Sequence, residues 1–141
     1  MHSTLTHTYT RSICGVIDHH ALQSGTVITD KPIYIDIRPW GSACTIVAHT
    51  FLRIRKPIPA TVAGILLSGI LSDTLNLRSP TTTDHDRLLV AVLAKISACA
   101  DINELADKQF AAKSAALMHI SPYEVACGDQ KKFNIKDKEG E

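Results

Sequence analysis

An Asp-His-His triplet, formed by Asp18, His19 and His20, follows directly on a short apolar run at residues 15–17. In a parallel α/β sheet, ligands bind outside the carboxyl ends of the strands, and the triplet is expected to lie there. An imidazole can bind a divalent metal, a neighbouring carboxylate can accept its second N–H, and an adjacent histidine can reach an anion. The triplet therefore predicts a metal site, with an ordinary polar loop after a strand as the alternative.

A second candidate ligand is Asp73, which ends an apolar segment over residues 60–72. This segment is apolar nearly all round and predicts a buried helix. The helix macrodipole disfavours a carboxylate at the carboxyl end by up to about 1 kcal/mol, and a bound cation would remove that conflict. The alternative is that Asp73 only turns the chain, by hydrogen-bonding Thr74 and Asn76.

The elements that must position these residues are predicted from the apolar pattern. Residues 14–17 and 33–37 predict two short strands, and residues 41–52 predict a helix that starts at a Gly-Ser pair. We expect an α/β fold in which these two strands form a short parallel sheet packed against helices.

Two further helices are predicted in the second half of the chain. Thr83 and Asp86 have the spacing of a capping box, with Asp in place of the usual Glu or Gln. The apolar residues that follow at helical spacing define one core face: Leu88, Leu89, Val92, Leu93, Ile96 and Cys99. Residues 102–118 predict a last helix that buries Ile102, Leu105, Phe110 and Leu117.

Length and composition limit the classes of partner. The 141 residues suit one domain, and a net charge of +1 gives no electrostatic footprint for nucleic acid or a membrane surface. The longest apolar stretch, residues 62–71, is too short to span a bilayer. The amino terminus lacks the apolar region of a secretory signal, and the four cysteines form no Cys-x-x-Cys pair. We therefore expect a cytoplasmic protein with reduced thiols.

The separated motifs resemble those of a known family. The triplet is followed by Arg-Pro-Trp-Gly-Ser-Ala-Cys-Thr at residues 38–45 and, within residues 69–84, by Ser-Asp-Thr and Ser-Pro-Thr. This order is similar to that of the DHH phosphoesterase superfamily, and within it to the manganese-dependent (family II) inorganic pyrophosphatases. The resemblance runs from about residue 15 to about residue 128 and implies a partial DHH-type domain.

The resemblance implies a role for each candidate residue. His19 would be a metal ligand and Asp73 a carboxylate ligand able to bridge two metals. His20 would be a catalytic residue that binds the substrate phosphate, and Asp18 would orient the catalytic group. The implied cofactor is a two-metal Mn²⁺ cluster, with Mg²⁺ or Co²⁺ as alternatives, and the implied reaction is hydrolysis of pyrophosphate, a small phosphoanhydride, to two phosphates. Two metals ~3.5–4 Å apart can activate a water and clamp the attacking and leaving oxygens.

The chain also departs from the family pattern. Complete members carry a His-x-x-x-Asp-x-Asp motif before this region and a second domain after it. We therefore expect an internal fragment: residues 1–14 frayed, residues 15–120 a partial DHH phosphoesterase domain, and residues 121–141 a linker or truncated start of a carboxyl-terminal DHHA2-like domain. Tyr123 occupies a position where a substrate-binding Lys is expected, with Lys131 and Lys132 nearby.

These departures leave three functions open. The first is pyrophosphate hydrolysis, impaired in this chain alone. The second is an exopolyphosphatase or another DHH phosphoesterase acting on polyphosphate or small nucleotides. The third is a non-catalytic metal-binding remnant. An incomplete sheet would also expose an apolar edge, so we expect self-association of the isolated chain, for example as a homo-oligomer, or poor solubility.

Other polar residues are weaker candidates. His49, His85 and His119 are interpreted as surface or core residues rather than ligands, and Trp40 as packing beneath the loop after the second strand. The helix start at residues 41–42 could bind a phosphate oxygen, although an ordinary capped helix is favoured. Arg78 could neutralise phosphate or be a solvated loop cation.

Overall fold

The computed structural model describes residues 13–22, 27 and 29–118. The described chain runs in the order β1 (Gly15–Asp18), β2 (Tyr34–Ile37), α1 (Ala43–Arg53), α2 (Ala60–Asp73), α3 (Asp84–Ser97) and α4 (Ile102–Leu117). This order confirms the predicted α/β class and each predicted element, with boundaries that differ by one or two residues. The expectations for residues 1–12, for His119 and for residues 121–141, including Tyr123, lie outside the described residues.

The sheet consists of β1 and β2, which pair in parallel with Gly15 opposite Tyr34 and Asp18 opposite Ile37. Tyr34 N–H donates to the Cys14 carbonyl at 3.3 Å, and Arg38 N–H donates to the Asp18 carbonyl at 3.2 Å, so the ladder continues beyond both ends. Because the strands are parallel, their carboxyl ends meet at one edge. Asp18 and the segment that follows β2 therefore lie side by side.

Helix α2 is the centre of the core, and α1, α3 and α4 all pack against it. Its buried face consists of Ala63, Leu66, Leu67, Ile70 and Leu71. The expectation of a helix buried on every side is wrong for its outer face, where Ile65 is 66% exposed. A Cβ at Gly69 would collide with the Cys44 sulfur, so this glycine permits the close approach of α1 to α2.

The predicted capping box at the start of α3 is confirmed. The Thr83 side chain accepts a hydrogen bond from Asp86 N–H, and the Asp86 side chain accepts one from Thr83 N–H. The predicted core face is wrong at Leu88, which is 60% exposed. The buried positions of α3 are 86, 89, 90 and 93, and this i, i+3, i+4, i+7 stripe leaves position 88 on the solvent side.

The last helix, α4, packs through its amino-terminal half. Ala106 is fully buried there, and Ile102, Leu105 and Phe110 are half-buried. The expectation that Leu117 is buried is wrong, because every residue from 111 to 118 is exposed and this half of α4 extends past the core. No helix in the described part of the chain is long and apolar enough to cross a membrane.

The sheet keeps apolar side chains in contact with solvent. Ile17 is 40% exposed, Tyr34 48% and Ile35 51%. Parallel sheets are usually covered on both faces, so these side chains are available for a further contact. The expectation of self-association stays a prediction.

Two glycines provide a matched test of how tightly the start of α1 packs. A Cβ at Gly41 would lie 2.8 Å from Asp86 Oδ2 and 2.8 Å from Thr74 Cγ2, whereas one at Gly64 would lie 3.8 Å from Ser97 Cβ. We expect Gly41→Ala to lower the free energy of unfolding by about 1–3 kcal/mol through overpacking. Gly64→Ala lies in a helix interior and should be neutral or stabilising by up to about 1 kcal/mol. Urea unfolding measures both, and a Gly41→Ala chain as stable as wild type would contradict this packing.

Candidate metal centre

Asp18, His19 and His20 form a compact group of potential ligands at the carboxyl end of β1. One ligand atom from each residue lies within 4.8 Å of the others, and no second group of this kind exists among the described residues. The group therefore lies at the strand end, where the sequence predicts it. One carboxylate and two imidazoles are donors that suit a divalent transition metal.

The Asp18 carboxylate organises this group. Its Oδ1 accepts hydrogen bonds from His19 N–H at 2.7 Å, from His20 N–H at 3.2 Å and from His20 Nδ1 at 2.8 Å. The bond from the His20 ring, followed by the bond from the His19 backbone, lowers the pKa of Asp18. Asp18 is therefore an anion that fixes the exposed His20 ring through Nδ1 and leaves Nε2 for a ligand.

The His19 ring is held by a different group. Its Nδ1 lies 3.2 Å from the backbone carbonyl oxygen of Trp40. A carbonyl can only accept, so Nδ1 carries the hydrogen and the lone pair of the neutral ring is on Nε2. The two histidine rings are tilted by 56° with centroids 4.1 Å apart. Both rings are thus held through Nδ1, one by a carboxylate and the other by a carbonyl.

Asp73 is the last residue of α2 and is exposed. Its Oδ2 accepts a hydrogen bond from Ser42 Oγ at 2.6 Å, and Ser42 Oγ in turn accepts from Cys44 N–H at 3.1 Å as the cap of α1. Trp40 contacts His19 while Ser42 contacts Asp73, so the segment before α1 reaches both predicted metal ligands. Asp73 is not a member of the 4.8 Å group.

The turn after Asp73 is strained. Leu75, Asn76 and Leu77 have φ angles of 50°, 53° and 62°, in the left-handed region that costs roughly 1–2 kcal/mol per non-glycine residue. The buried Thr74 hydroxyl supports the turn by donating to the Ile70 carbonyl at 2.6 Å and accepting from Leu77 N–H at 3.1 Å. The turn is therefore held by Thr74, while the Asp73 carboxylate bonds Ser42.

Asp86 is a buried carboxylate that fixes the segment before α1 to the start of α3. It accepts hydrogen bonds from Gly41 N–H at 2.9 Å and from Thr45 Oγ1 at 2.5 Å. It also accepts from Thr83 N–H at 2.7 Å and Thr83 Oγ1 at 2.6 Å. Burial alone would raise the pKa of Asp86, but these hydrogen bonds outweigh it and hold the pKa below its usual value of 3.8. Asp86 is thus an anion satisfied entirely by neutral donors.

Trp40 lies in a cluster of cationic and aromatic groups. The His85 ring stacks on it with centroids 4.3 Å apart at 17°, and the His49 ring meets its edge at 5.2 Å and 77°. The Arg38 guanidinium lies 4.7 Å from the Trp40 ring centroid and bonds Asp36 at 2.7 and 3.2 Å. Burial, followed by repulsion from Arg38, lowers the pKa of His49. Both histidines therefore pack on Trp40, outside the ligand group.

Arg78, the remaining cationic candidate, folds back onto its own loop. Its Nε donates to the Leu75 carbonyl at 3.3 Å. This contact supports the interpretation of Arg78 as a loop cation.

The chain is similar to named pyrophosphatases. No protein-family model matches it. A relative from Lactococcus lactis subsp. lactis, named "Probable manganese-dependent inorganic pyrophosphatase", is 44% identical over 86 residues, which cover 61% of this chain. A relative of the same name from Streptococcus equi subsp. equi is 41% identical over 85 residues, or 60% of this chain. The chain spans 27% of the length of each of these relatives.

A solved structure has the same fold. The crystal structure of a candidate family II inorganic pyrophosphatase from Methanococcus jannaschii matches with a TM-score of 0.62 and 33% identity. The match covers 68% of this chain and 33% of that one. Sequence and structure thus agree that this chain resembles part of a manganese-dependent (family II) inorganic pyrophosphatase.

The contribution of Asp86 can be tested by its pH dependence. Because the folded-state pKa lies below 3.8, the ionised group stabilises the fold above that pH, and the stabilisation is lost as the pH falls through the folded-state value. We expect Asp86→Asn to lower the free energy of unfolding at neutral pH by about 2 kcal/mol. The difference from wild type should narrow below pH 3.8.

Denaturant unfolding across this pH range measures the difference. Asp107→Asn, which changes an exposed carboxylate on α4, is the matched control and should be near wild type throughout. If the difference in free energy of unfolding between Asp86→Asn and wild type widens as the pH falls, that result would contradict the assignment of Asp86 as a stabilising anion.

Proposed function

We propose that this chain, as a relative of the manganese-dependent inorganic pyrophosphatases, contributes a divalent-metal and phosphate site to the hydrolysis of pyrophosphate. The observation that supports this proposal is the Asp18, His19 and His20 group at the carboxyl end of β1, in which both rings are held through Nδ1. Imidazoles fixed in this way present Nε2 for a metal or a phosphate oxygen.

The donors suit the proposed metal. Imidazole nitrogen together with carboxylate oxygen favours Mn²⁺ over Mg²⁺, which prefers oxygen ligands and keeps several waters. Co²⁺ binds the same donors, so it is the alternative in a metal titration. Bound Mn²⁺ would supply an activated water and neutralise charge on the phosphates.

His19 and Asp73 are the proposed metal ligands. His19 would bind through Nε2, since Nδ1 is occupied by the Trp40 carbonyl. Asp73 has one oxygen engaged by Ser42, so the other is available for a cation. A cation at this place also offsets the negative end of the α2 dipole, where Asp73 lies.

His20 is the proposed catalytic and substrate-binding residue. Its side chain is 69% exposed, and the Asp18 carboxylate holds its Nδ1, so Nε2 faces solvent as a contact for a phosphate oxygen. Asp18 has the role of orienting His20.

We further propose that Mn²⁺ binding and hydrolysis by this chain alone are weak. Among the described residues, His19 and Asp73 are the two proposed metal ligands, and a two-metal cluster needs several more. A chain that binds Mn²⁺ without turnover is the second candidate function, which the small number of ligands favours.

The proposal predicts that substitutions of the metal ligands and of the phosphate-binding residue affect Mn²⁺ binding and phosphate release differently. We expect His19→Ala and Asp73→Ala each to abolish the weak Mn²⁺ binding of the full chain. His20→Ala should retain Mn²⁺ binding and lose any phosphate release from pyrophosphate. Asp107→Ala, an exposed carboxylate on α4, is the control and should match wild type. Calorimetric Mn²⁺ titration and a phosphate-release assay measure these effects, with tripolyphosphate as the competing substrate.

Two results would contradict the proposal. Mn²⁺ binding unchanged in both His19→Ala and Asp73→Ala would remove these residues as ligands. Robust turnover of pyrophosphate that either substitution abolishes would refute the expected impairment and show that further ligands are supplied, for example across a homo-oligomer.

A further inference from the structure

The peptide unit between Trp40 and Gly41 makes two hydrogen bonds in opposite directions. Its carbonyl oxygen contacts His19 Nδ1 at 3.2 Å, and its N–H donates to Asp86 Oδ2 at 2.9 Å. The peptide is trans, as are all those described, so its C=O and N–H lie in one plane and point in opposite directions. We infer that this peptide couples the buried Asp86 anion to His19, and that Asp86 is thereby a positioning residue for the proposed metal ligand.

The coupling has a physical basis in the polarity of the peptide. An anion that accepts from the N–H draws positive charge to that side and makes the carbonyl oxygen a stronger acceptor. The stronger acceptor holds the hydrogen of His19 on Nδ1 and leaves the lone pair on Nε2. Metal-binding histidines commonly donate their second N–H to a carboxylate or a carbonyl, which fixes the tautomer and raises ligand basicity. In this chain the Asp86 carboxylate has this effect on His19 indirectly, through the Trp40 carbonyl.

Contacts of the Trp40 ring also restrict the orientation of this peptide. The ring is contacted by Arg38 from the segment after β2, by His49 from α1 and by His85 from α3. In addition, Trp40 N–H donates to the Arg38 carbonyl at 2.8 Å. A residue held by its ring and by the peptides on both sides has little freedom to rotate its carbonyl away from His19.

Asp86 is suited to this role because it is ionised and fully buried. Its other donors, Thr45 and Thr83, come from α1 and from the cap of α3. These contacts fix the carboxylate, so its position relative to Gly41 does not depend on solvent. The inference rests on the proposed function, since it states what orients the proposed ligand His19.

The test compares Asp86→Asn with Thr45→Val in the full chain. Asp86→Asn removes the anion that accepts from Gly41. Thr45→Val removes one donor to the same carboxylate but keeps the anion, with the donors from Thr83 and Gly41 still in place, so it controls for a general loss of stability. The first readout is the ¹⁵N chemical shifts of the His19 ring without metal, at about pH 8.5 where free imidazole is neutral. The second readout is Mn²⁺ affinity.

We expect the wild-type ring and Thr45→Val to carry the hydrogen on Nδ1. Asp86→Asn should shift the population towards the Nε2–H tautomer and weaken Mn²⁺ binding about 10-fold, the lower end of the effect of outer ligand-orienting groups. Equal effects of the two substitutions would overturn the inference and leave the proposed function standing. An Nε2–H tautomer in the wild type would overturn the inference and would also remove the observation that supports the proposed function. Absence of Mn²⁺ binding with a wild-type Nδ1–H tautomer would refute the proposed function and leave the positioning of the ring intact.

A second pair of variants covers the case in which Asp86→Asn does not fold. His85 is exposed, so its substitution leaves the packing of the core unchanged. His85→Ala removes the stacking partner of Trp40 and should weaken Mn²⁺ binding several-fold, whereas His85→Phe keeps an aromatic face and should restore it. Identical Mn²⁺ affinity and His19 tautomer in His85→Ala and wild type would show that His19 does not depend on how the Trp40–Gly41 peptide is held, and this result would overturn the inference.

Discussion

The buried carboxylate of Asp86 is the interaction on which the rest of the site depends. It joins the segment before α1 to the start of α3 through neutral donors from Gly41, Thr45 and Thr83. A buried anion without such donors would cost several kcal/mol, so the segment before α1, the first turn of α1 and the cap of α3 must come together around it. The same segment before α1 then reaches His19 on one side, through Trp40, and Asp73 on the other, through Ser42.

The short parallel sheet and the helical core position the candidate ligands. The Asp-His-His group lies at the carboxyl end of β1, and Asp73 lies at the carboxyl end of α2. Because α1 contacts both β1 and α2, its amino-terminal segment spans the distance between them. Local strain accompanies the site, since three consecutive residues after Asp73 adopt left-handed backbone angles.

The sequence predicts those parts of this structure that depend on local chemistry. Apolar periodicity and capping residues locate both strands and all four described helices, and the Thr83–Asp86 capping box is formed as predicted. Predictions of burial from periodicity fail at Leu88 and Leu117, because each helix packs through a narrower stripe or a shorter length than its apolar residues indicate. The contacts of Asp86 with Gly41 and Thr45 could not be predicted, since they join residues more than forty positions apart. The hydrogen-bond partner of the His19 ring could not be predicted either, because it is a backbone carbonyl and every residue type carries one.

The most direct test of the proposed metal site is the paramagnetic effect of Mn²⁺ on the amide signals of the ¹⁵N-labelled chain. If the ion binds between β1, α1 and α2, substoichiometric Mn²⁺ should first broaden the amides of residues 18–20, 40–42 and 73–74. Exposed carboxylates on α3 and α4, such as Asp84 and Asp107, should be affected only at much higher concentration. Broadening that starts at those carboxylates, or that is uniform along the chain, would contradict a metal site at His19 and Asp73.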